Sequence, residues 1–456
     1  MTTSASSSAS SSTSAAKAHG GTSGVSRTEL GQWVVDSTAA TEIRLIDGST
    51  ESSLRKSLYS TQCSPRNAAF NPLFTYPIFG QDERVFGLSD LRIQLYFTSG
   101  SLDLFVGVTN SAKIDDYRHD ATADDLRRQP RDRGPRDYHI DKDTFGVIAE
   151  DAVRKFKPMG KLIKTYKSRR SNHVDSTDDS AETEQADEEP QYEMYLASFE
   201  TPGFRDYYRK LRMFPVLFIE GATFLSANDP NWLTLLVFRR SVNCNTGQSN
   251  GSASWSKYKY DLVGFTTLYR YFHYPNMVRM RISQVVVLPT YQRQGHAEQM
   301  YRFVYDRMCR AGDKLAVDLT VEDPSEDYAR LRDLSDLRFL IRQTNFGRPA
   351  GSAINSNDWL LSADYTKAQE FVDELRAKFK FSQPQANRLF QILLLYSIKN
   401  WADVKEREKY RLYVKRHIYA RDKDMLLEMS EDERKKALAA LYAAIEDDYR
   451  TIMNLI

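Results

Sequence analysis

One short stretch constrains the fold more than any other: an apolar run, a proline, and a glycine corner that opens directly into a helix-like run. The stretch reads RISQVVVLPTYQRQGHAEQM and ends at residue 300. Its apolar run at 285–288 predicts a strand buried on both faces, which Pro289 ends. Beyond Gly295 the spacing predicts a helix with one apolar face, formed by Met300, Phe303, Val304 and Met308.

This strand–corner–helix arrangement predicts an anion site. The first N–H groups of a helix have no partner within the helix, and the helix dipole is positive at the same end. Gly295 allows a phosphate to approach closely, Ala297 is too small to obstruct it, and Gln292 and Arg293 add side-chain donors. We expect a diphosphate here, with a plain turn before a helix as the alternative. The corner lacks both the Gly-Lys-Ser/Thr of a nucleotide P-loop and the spaced glycines of a dinucleotide fold.

A second constellation follows the corner in the run LAVDLTVEDP, residues 315–324. Strict alternation predicts a strand with Leu315, Val317, Leu319 and Val321 on one face and Asp318, Thr320 and Glu322 on the other. Glu322 and Asp323 come at the end of this strand, just before Pro324 stops it. Strand ends beside a cofactor corner are where α/β folds place their chemistry.

The composition narrows the class of protein. The chain has 456 residues, 41% of them hydrophobic, which is enough for two or three domains with their own cores. A net charge of +2 gives no general signal for direct nucleic-acid binding, and no run approaches the roughly eighteen apolar residues that span a membrane. Three separated cysteines and seven scattered histidines form no zinc or disulfide pattern, so we expect no metal.

Two stretches are predicted to be disordered. The N-terminal 28 residues are rich in serine and have no arginine before Arg27, so disorder fits them better than a transit peptide. The segment 171–190 carries eight acidic residues and no lysine or arginine. It is predicted to be a solvated loop, with a docking strip for basic partners as the alternative.

Strand patterns occupy the first half and the middle of the chain. Short apolar runs predict strands and hairpins from residue 30 to 110, followed by a charged loop over 111–143. Two further strands are predicted at 232–238 and 262–272, joined by a polar hairpin loop.

Helical patterns occupy two other regions. An apolar stripe that Pro215 should kink or break comprises Tyr207, Leu211, Phe214, Phe218 and Ile219. The chain is predicted to be helical from residue 365 onward. Two capping boxes are expected there, Ser382 with Gln385 and Ser430 with Glu433.

The corner and the acidic strand end carry a resemblance to a known family. RISQVVVLPTYQRQGHAEQMY and DLTVEDPSEDYARLRD resemble the coenzyme-binding core of the GNAT superfamily of N-acetyltransferases and, more narrowly, the catalytic subunits of type B histone acetyltransferases. The likeness continues in FNPLFTYPIFGQDERVFG, GFRDYYRKLRMFPVLFIEGATFL and GFTTLYRYFHYP. It covers most of residues 65–345, and this combination is far more specific than the glycine corner alone.

The resemblance implies a mixed α/β (α+β) fold built around a central GNAT acetyltransferase domain. The expected parts are a disordered tail at 1–28, an N-terminal mixed α/β domain at 29–165, a disordered acidic insertion at 166–191, the acetyltransferase domain at 192–345 and a C-terminal helical domain at 346–456.

The resemblance also implies the catalytic carboxylates. A lysine ammonium has no lone pair, and removing its proton near neutral pH costs roughly 4 kcal/mol, which a positioned carboxylate can offset. The family's general base maps onto Glu322, and Glu220 and Asp323 match further carboxylates of that site. Glu220 ends the apolar run VLFIEG, so we expect it to be partly desolvated. The alternatives are a solvated turn for Glu322 and a surface helix end for Glu220.

For the donor, the resemblance implies acetyl-CoA. The backbone of Val285, Val286 and Val287 is expected to pair with the pantetheine arm like an added strand, and Pro324 and Tyr328 to border the coenzyme. The pyrophosphate is expected on the corner, which comprises Gln292, Arg293, Gln294, Gly295, His296, Ala297 and Glu298. The family often has glycine where Arg293 and Ala297 stand, and we expect neither departure to disable the site.

For the acceptor, the resemblance implies a basic tail. Residues that match the family's tail-binding positions are Asp82, Glu83, Tyr269, Arg270 and Tyr271, and Trp232 matches the aromatic wall of its lysine channel. Core packing is the alternative for Trp232. Arg270 departs from the family, since a cation there would repel a basic peptide.

The function implied is acetyl transfer to lysines in the N-terminal tail of newly made histone H4, by direct attack with a general base. The expected partners are histone H4 with histone H3 and a WD-repeat histone chaperone, in the nucleus and cytoplasm. The alternatives are another protein or a small amine as acceptor, and a non-catalytic histone-binding scaffold. The intact QRQGHA corner and EDPS motif argue against the scaffold.

Overall fold

The computed structural model describes residues 31, 33–47, 68–117, 122–126, 137–168, 191–242, 257–310, 316–344, 365–398 and 404–456. The tail at 1–28, the acidic segment 171–190 and the polar hairpin loop lie outside these residues. In the part of the chain that the structure describes, no helix is both long and apolar enough to cross a membrane.

The described elements are strands in the first two thirds of the chain, with helices between some of them, and helices alone after β14. The strands are β1 (Val34–Asp36), β2 (Thr41–Ile46), β3 (Arg84–Phe86), β4 (Leu88–Ser89), β5 (Arg92–Thr98), β6 (Leu104–Thr109), β7 (Ala112–Lys113), β8 (Tyr138–His139), β9 (Lys161–Tyr166), β10 (Gln191–Ser198), β11 (Trp232–Val242), β12 (Tyr258–His273), β13 (Met277–Val287) and β14 (Ala316–Val321). The helices are α1 (Ser37–Ala40), α2 (Tyr76–Phe79), α3 (Lys142–Lys155), α4 (Phe204–Leu211), α5 (Met213–Phe218), α6 (His296–Phe303), α7 (Glu326–Thr344), α8 (Tyr365–Phe379), α9 (Gln383–Ser397), α10 (Val404–Arg421), α11 (Lys423–Leu427) and α12 (Glu431–Met453). The expected mixed α/β class is confirmed.

A central sheet of the order β14-β13-β12-β11-β10-β9 positions the candidate site. Neighbours from β9 to β13 run antiparallel, whereas β14 lies parallel to β13. A parallel pair needs a crossover connection, and α6 with the π-helical turn Val304–Arg310 lies in it. The predicted strands at 232–238 and 262–272 are confirmed as the paired β11 and β12. Because β9 joins this sheet at Lys161, the sheet begins before the expected domain start at 192.

The N-terminal part forms a smaller sheet of the order β2-β5-β6-β8. The strands predicted from residue 30 to 110 are confirmed in β1, β2, β5 and β6. The charged loop predicted over 111–143 is only partly correct, because its described portions hold β7, β8 and the first turn of α3. Phe145 of α3 is fully buried against Tyr96 and Phe105 of this sheet, and that apolar anchor explains why a helix begins inside so charged a stretch.

The apolar stripe predicted around Pro215 is confirmed as two helices with a break. The Pro215 backbone has no N–H to donate to the Leu211 carbonyl, and its ring clashes with that carbonyl. As a result, α4 ends at Leu211 and α5 begins at Met213. Tyr207, Leu211 and Phe214 are buried in the core.

One of the two predicted capping boxes forms. Ser430 and Glu433 make the reciprocal hydrogen bonds of a capping box at the start of α12. The box predicted at Ser382 is wrong, because Ser382 is the N-cap of α9 without a side-chain hydrogen bond. The Gln385 amide instead donates to the buried Asp333 and Asp336 carboxylates, at 3.1 and 2.9 Å, and these buried acceptors outcompete the helix end for it.

The C-terminal helices pack on α7 through apolar and ionic contacts. One continuous cluster of buried apolar side chains includes Leu95 of the N-terminal sheet, Phe265 of the central sheet and Phe390 of α9. Beside it, the Arg388 guanidinium donates to Asp333 of α7 at 2.7 Å. The helices from 365 onward therefore share a core with the sheet that carries the site.

Candidate active site

The glycine corner is formed as predicted. β13 ends at Val287, a 3-10 turn follows at Pro289–Tyr291, and α6 begins at His296. Gly295 is the N-cap of α6 and has a φ of 88°, a left-handed conformation that glycine adopts without the Cβ penalty of other residues. The corner thus presents the first N–H groups of a helix to solvent space at the end of β13.

The strand before the corner differs from its prediction. Val286 and Leu288 are buried, but Val285 and Val287 are only half-buried, so the expectation of burial on both faces is wrong. Side chains alternate along β13, and only one row of them is fully buried, while Val285 and Val287 pack against the edge of the core.

A cleft lies beside β13 because its neighbour β14 ends before β13 does. The last paired residues are Ile282 and Val321, and the Glu322 N–H donates to the Ile282 carbonyl at 2.9 Å before the chain turns toward α7. Beyond that point β13 continues to Val287 with no partner strand on this side among the described residues. Strands that separate in this way leave backbone groups that an extended ligand can pair with.

The direction of the backbone N–H and C=O groups leaves only two of the three valines able to pair with a ligand in the cleft. The Leu288 N–H donates to Val263 at 2.9 Å and so faces β12. Because these groups alternate along a strand, those of Val286 also face β12, whereas those of Val285 and Val287 face the cleft. The Val287 carbonyl accepts from the Gln292 side chain at 3.0 Å. The Val285 N–H and carbonyl and the Val287 N–H therefore point where a pantetheine arm would pair.

Several corner side chains hold the corner itself. Gln294 donates from its side-chain amide to the Thr290 carbonyl at 3.1 Å. Arg293 is exposed, and its guanidinium lies 2.8 Å from the Asp327 carboxylate on α7. Glu298 is buried, with its carboxylate 3.9 Å from Arg302 one turn later. Only the backbone N–H of Glu298 can therefore face an anion, and its carboxylate does not.

The buried His296 joins the corner to β9 through its side chain. It is 1% exposed, and its Nδ1 lies 2.9 Å from the hydroxyl of Tyr166 on β9. Burial lowers the pKa of this imidazole to about 4, so it is neutral at physiological pH. The Ser168 hydroxyl also donates to the Gln294 carbonyl at 3.2 Å. The end of β9 thus fixes the corner that the sequence identified.

Glu322 lies at the open end of β14, as predicted. Its Oε2 accepts a hydrogen bond from the Ser283 hydroxyl at 2.6 Å, and the residue is exposed toward the cleft side. Asp323 follows with a φ of 32°, unusual for a residue other than glycine, and its side chain is exposed. Pro324 is exposed and Tyr328 is half-buried in the first turns of α7.

Glu220 is brought to the same end of the sheet by the loop after α5. The Gln284 side chain on β13 donates to the Thr223 carbonyl at 2.9 Å, and the Tyr76 hydroxyl accepts from the Gly221 N–H at 2.7 Å. Gln284 is the neighbour of Ser283, so this loop lies next to the Glu322 region. The expected desolvation of Glu220 is wrong, because its side chain is exposed beyond the last turn of α5.

An aromatic row lies on β11 and β12 of the same sheet. Trp232 pairs with Tyr269 in the β11–β12 ladder, and their ring centroids lie 4.7 Å apart. Tyr271, two residues along β12, has its ring 4.5 Å from Tyr269 and the Arg281 guanidinium 4.7 Å from its centroid. Trp232 is half-buried, so it packs on the core edge while presenting part of its ring to this face.

Arg270 lies away from this row. Neighbouring residues of a strand point to opposite faces, so Arg270 faces away from Tyr269 and Tyr271. Its guanidinium donates to the Pro230 carbonyl at 3.4 Å. Arg270 therefore does not belong to the aromatic row, and its repulsion of a basic tail stays a prediction.

Asp82 and Glu83 have different surroundings. Asp82 is exposed. The Glu83 carboxylate accepts from the backbone N–H groups of Thr75 and Tyr76 at the start of α2, and its carbonyl accepts from Ser37. Glu83 thus holds two segments of the N-terminal part together, a role that the sequence did not indicate, and tail binding by either residue stays a prediction.

The comparisons with known proteins bear on all of these residues together. Residues 33–220 match the family model described as the N-terminus of the histone acetyl transferase HAT1. A Cryptococcus neoformans protein named histone acetyltransferase type B catalytic subunit is 31% identical over 437 residues, which are 93% of this chain and 98% of that protein. The chain belongs to this family.

Relatives of the same name occur in other fungi and in animals. The Mycosarcoma maydis type B catalytic subunit is 30% identical, over 93% of this chain and 88% of its own length. The Homo sapiens one is 30% identical, over 76% of this chain and 74% of its own length. A solved ribosomal-protein-alanine N-acetyltransferase from Brucella melitensis covers 36% of this chain at 14% identity, with a TM-score of 0.18 too low to bear on the fold. The family expected from the motifs is confirmed, and the chain is an acetyltransferase.

Three site residues of this type B acetyltransferase were missed in the sequence. Ser283 holds Glu322, Tyr166 holds His296, and the Asp229 carboxylate accepts from the Tyr269 hydroxyl at 2.8 Å. Only Asp229 carried a signal, as an Asx residue in NDPN just before a strand. Among the described residues, no group of three or more histidine, cysteine and carboxylate side chains could hold a metal. The absence of a metal cofactor stays a prediction.

Proposed function

We propose that this type B acetyltransferase transfers an acetyl group from acetyl-CoA to lysines in the N-terminal tail of newly synthesised histone H4. The observation that carries the proposal is the position of Glu322 in a chain of this family. It lies where β14 leaves β13, beside the Val285 and Val287 backbone groups that face the cleft.

The donor side follows from the fit of the cleft and corner to a coenzyme A. Val285 and Val287 would pair with the pantetheine arm, and the first N–H groups of α6 after Gly295 would bind the pyrophosphate. The neutral, buried His296 supports this corner without adding a charge of its own. When bound, acetyl-CoA supplies the acetyl group as a thioester, which the acceptor amine attacks directly.

On the acceptor side, Glu322 takes the proton that the lysine ammonium must lose. Removing that proton near neutral pH costs roughly 4 kcal/mol, so a carboxylate in contact with the amine contributes directly to the rate. The Ser283 hydroxyl holds one oxygen of Glu322 and leaves the other for the amine or for a bridging water. Glu220 and Asp323 are exposed carboxylates of the same region and would attract the basic tail.

The aromatic row would form the wall of the lysine channel. Trp232 and Tyr269 offer ring faces to the methylene stem of a lysine, and a cation is attracted to such faces when it lies within about 6 Å. Asp82 is exposed and available to a basic tail. We propose histone H3 and a WD-repeat histone chaperone as partners, and the nucleus and cytoplasm as the compartments, on the strength of the family alone.

A different amine is the second candidate acceptor, because the exposed carboxylates would attract polyamines as well as tails. A non-catalytic histone-binding scaffold is less consistent with the site, since a scaffold needs neither the cleft-facing valines nor the Ser283–Glu322 contact.

The test is acetyl transfer from acetyl-CoA to an H4 N-terminal peptide, an H3 N-terminal peptide and spermidine, measured side by side with acetyl-CoA binding. We expect the H4 peptide to have the highest kcat/KM. A higher kcat/KM for spermidine would replace the histone acceptor with a small amine. Coenzyme binding without transfer to any acceptor would overturn the enzymatic proposal.

A further inference from the structure

Asp229 is a carboxylate in the loop before β11 that contacts the aromatic row at Tyr269. Its Oδ1 accepts from the backbone N–H and the side-chain amide of Asn231, at 2.9 and 3.0 Å. Its Oδ2 accepts from the Tyr269 hydroxyl at 2.8 Å. These contacts fix both the carboxylate and the ring that forms the centre of the row.

All three of these donors are neutral, so they hold the charge of Asp229 without cancelling it. The Asn231 N–H, and after it the Tyr269 hydroxyl, keep the pKa of this carboxyl below its usual value, so it is ionised at neutral pH. A carboxylate has about four lone-pair sites, and one remains after these three bonds.

The cations near Asp229 are directed elsewhere. Arg270 donates to the carbonyl of the neighbouring Pro230 from the opposite face of β12. Arg281 pairs with Tyr269 in the β12–β13 ladder, and its guanidinium lies 4.7 Å from the centroid of the Tyr271 ring. Within the described residues, Asp229 forms no ion pair with a lysine or arginine, so its charge is not neutralised by the protein.

The sheet register gives the span between Glu322 and Tyr269, whose hydroxyl binds Asp229. Trp232, Tyr269, Arg281 and Thr320 lie side by side across β11, β12, β13 and β14. Neighbouring strands are about 4.8 Å apart, so Tyr269 lies about 10 Å from Thr320, and Glu322 is two residues, about 7 Å, farther along. The resulting Cα–Cα span from Tyr269 to Glu322 is about 12 Å, which equals three or four residues of an extended peptide at about 3.3 Å each.

We propose that Asp229 is a specificity-determining residue, which binds a cationic side chain three or four positions from the lysine that is acetylated. The proposal rests on the proposed function, because it places the acceptor lysine at Glu322. Asp229 would form an ion pair with that side chain at a partly exposed site. Such a pair favours a basic residue at one distance along the peptide from the acetylated lysine and not at others.

The test uses peptides with one lysine in an otherwise neutral sequence and a single arginine at each position from one to six residues on either side. Arginine is not an acetyl acceptor, so the reacting site stays fixed. We expect the wild type to prefer arginine over glutamine by about two- to fivefold in kcat/KM at the third or fourth position, with less preference at higher salt. Asp229→Asn should lose this preference at that position only.

A matched control is Asp424→Asn, which makes the same change at an exposed aspartate of α11. It should keep the positional preference of the wild type. Wild-type transfer with no positional preference, or a preference that survives in Asp229→Asn, would overturn this proposal alone. No transfer to any of the peptides, by protein that binds acetyl-CoA, would overturn the proposed function and this proposal with it.

Discussion

The Ser283 hydroxyl donates a 2.6 Å hydrogen bond to Oε2 of Glu322 from the neighbouring strand. Ser283 is the additional residue of a β-bulge, because Thr267 and Leu268 of β12 pair with Gln284 and Ile282 and skip it. Bulges re-aim side chains, and this one aims a hydroxyl at the proposed base. The position of Glu322 therefore depends on a local irregularity of β13.

Ser283→Ala tests that dependence. Losing one hydrogen bond to the carboxylate frees its rotamers, so we expect kcat to fall by about three- to tenfold, with acetyl-CoA affinity unchanged. Steady-state kinetics with a histone peptide and calorimetry with the coenzyme measure the two effects. Ser111→Ala, at an exposed serine of the N-terminal part, is the matched control. An unchanged kcat in Ser283→Ala would show that the contact does not position Glu322.

Gly295→Ala tests the corner. Alanine at a φ of 88° costs about 1–2 kcal/mol, and its Cβ occupies the space through which a phosphate approaches. We expect the acetyl-CoA dissociation constant to rise at least about fivefold. Gly203→Ala is the control, because Gly203 is the N-cap of α4 with a φ of 79° and no atom lies near its added Cβ. The two variants should lose similar stability, and equal coenzyme affinity in both would contradict the assigned corner.

The buried His296 predicts a pH dependence of stability. Its folded pKa of about 4 lies below the ordinary 6.5, so the unfolded chain binds the proton more tightly, and stability is lost as pH falls from about 6.5 to 4. Between pH 7 and 5 this loss amounts to about 2 kcal/mol. His296→Gln keeps a partner for Tyr166 but does not titrate, so its urea denaturation should show a correspondingly smaller loss.

The comparison of wild type with His296→Gln also cancels the contributions of the other titrating groups to the pH dependence of stability. Burial raises the pKa of Asp336 to about 7, so its contribution has the opposite sign and is lost as pH rises. Asp336 is present in both proteins and cancels in the difference. A pH dependence that is the same in wild type and His296→Gln would contradict the burial of a neutral His296.

Arg388 of α9 contacts two carboxylates of unequal burial, one on α7 and one on α12. Its guanidinium donates to Asp333, whose side chain is 1% exposed, and to Asp448, whose side chain is 33% exposed. Arg388→Met removes the cation that is hydrogen-bonded to the buried Asp333, so we expect a loss of about 3 kcal/mol in the free energy of unfolding. Asp448→Asn should cost under about 1 kcal/mol. Equal losses would show that burial does not set the strength of this contact.

The parts of the site that the sequence predicted are local in the chain. The strand, the Gly295 corner and the start of α6 lie within about twenty residues, so spacing and the preferences of proline and glycine were sufficient. Glu322 was placed at a strand end by the alternation before it and by Pro324 after it.

The parts that it did not predict depend on contacts between distant residues. Tyr166 lies 130 positions from His296, and the bulge at Ser283 appears only when β12 is paired with β13. Gln385 does not form its predicted cap, because its side-chain amide donates instead to the buried Asp333 and Asp336, about fifty positions earlier. A single sequence shows which groups are available for such contacts, but the tertiary fold decides which of them meet.

The most direct test of the central claim is single-turnover acetyl transfer to an H4 tail peptide by wild type, Glu322→Gln, Glu220→Gln and Glu200→Gln, with acetyl-CoA binding measured on each. Glu200 is an exposed glutamate just after β10 and serves as the control. We predict that Glu322→Gln lowers the rate at least about 100-fold with unchanged coenzyme affinity, and that Glu200→Gln behaves as wild type. A near wild-type rate in Glu322→Gln, together with a lost rate in Glu220→Gln, would contradict Glu322 as the base.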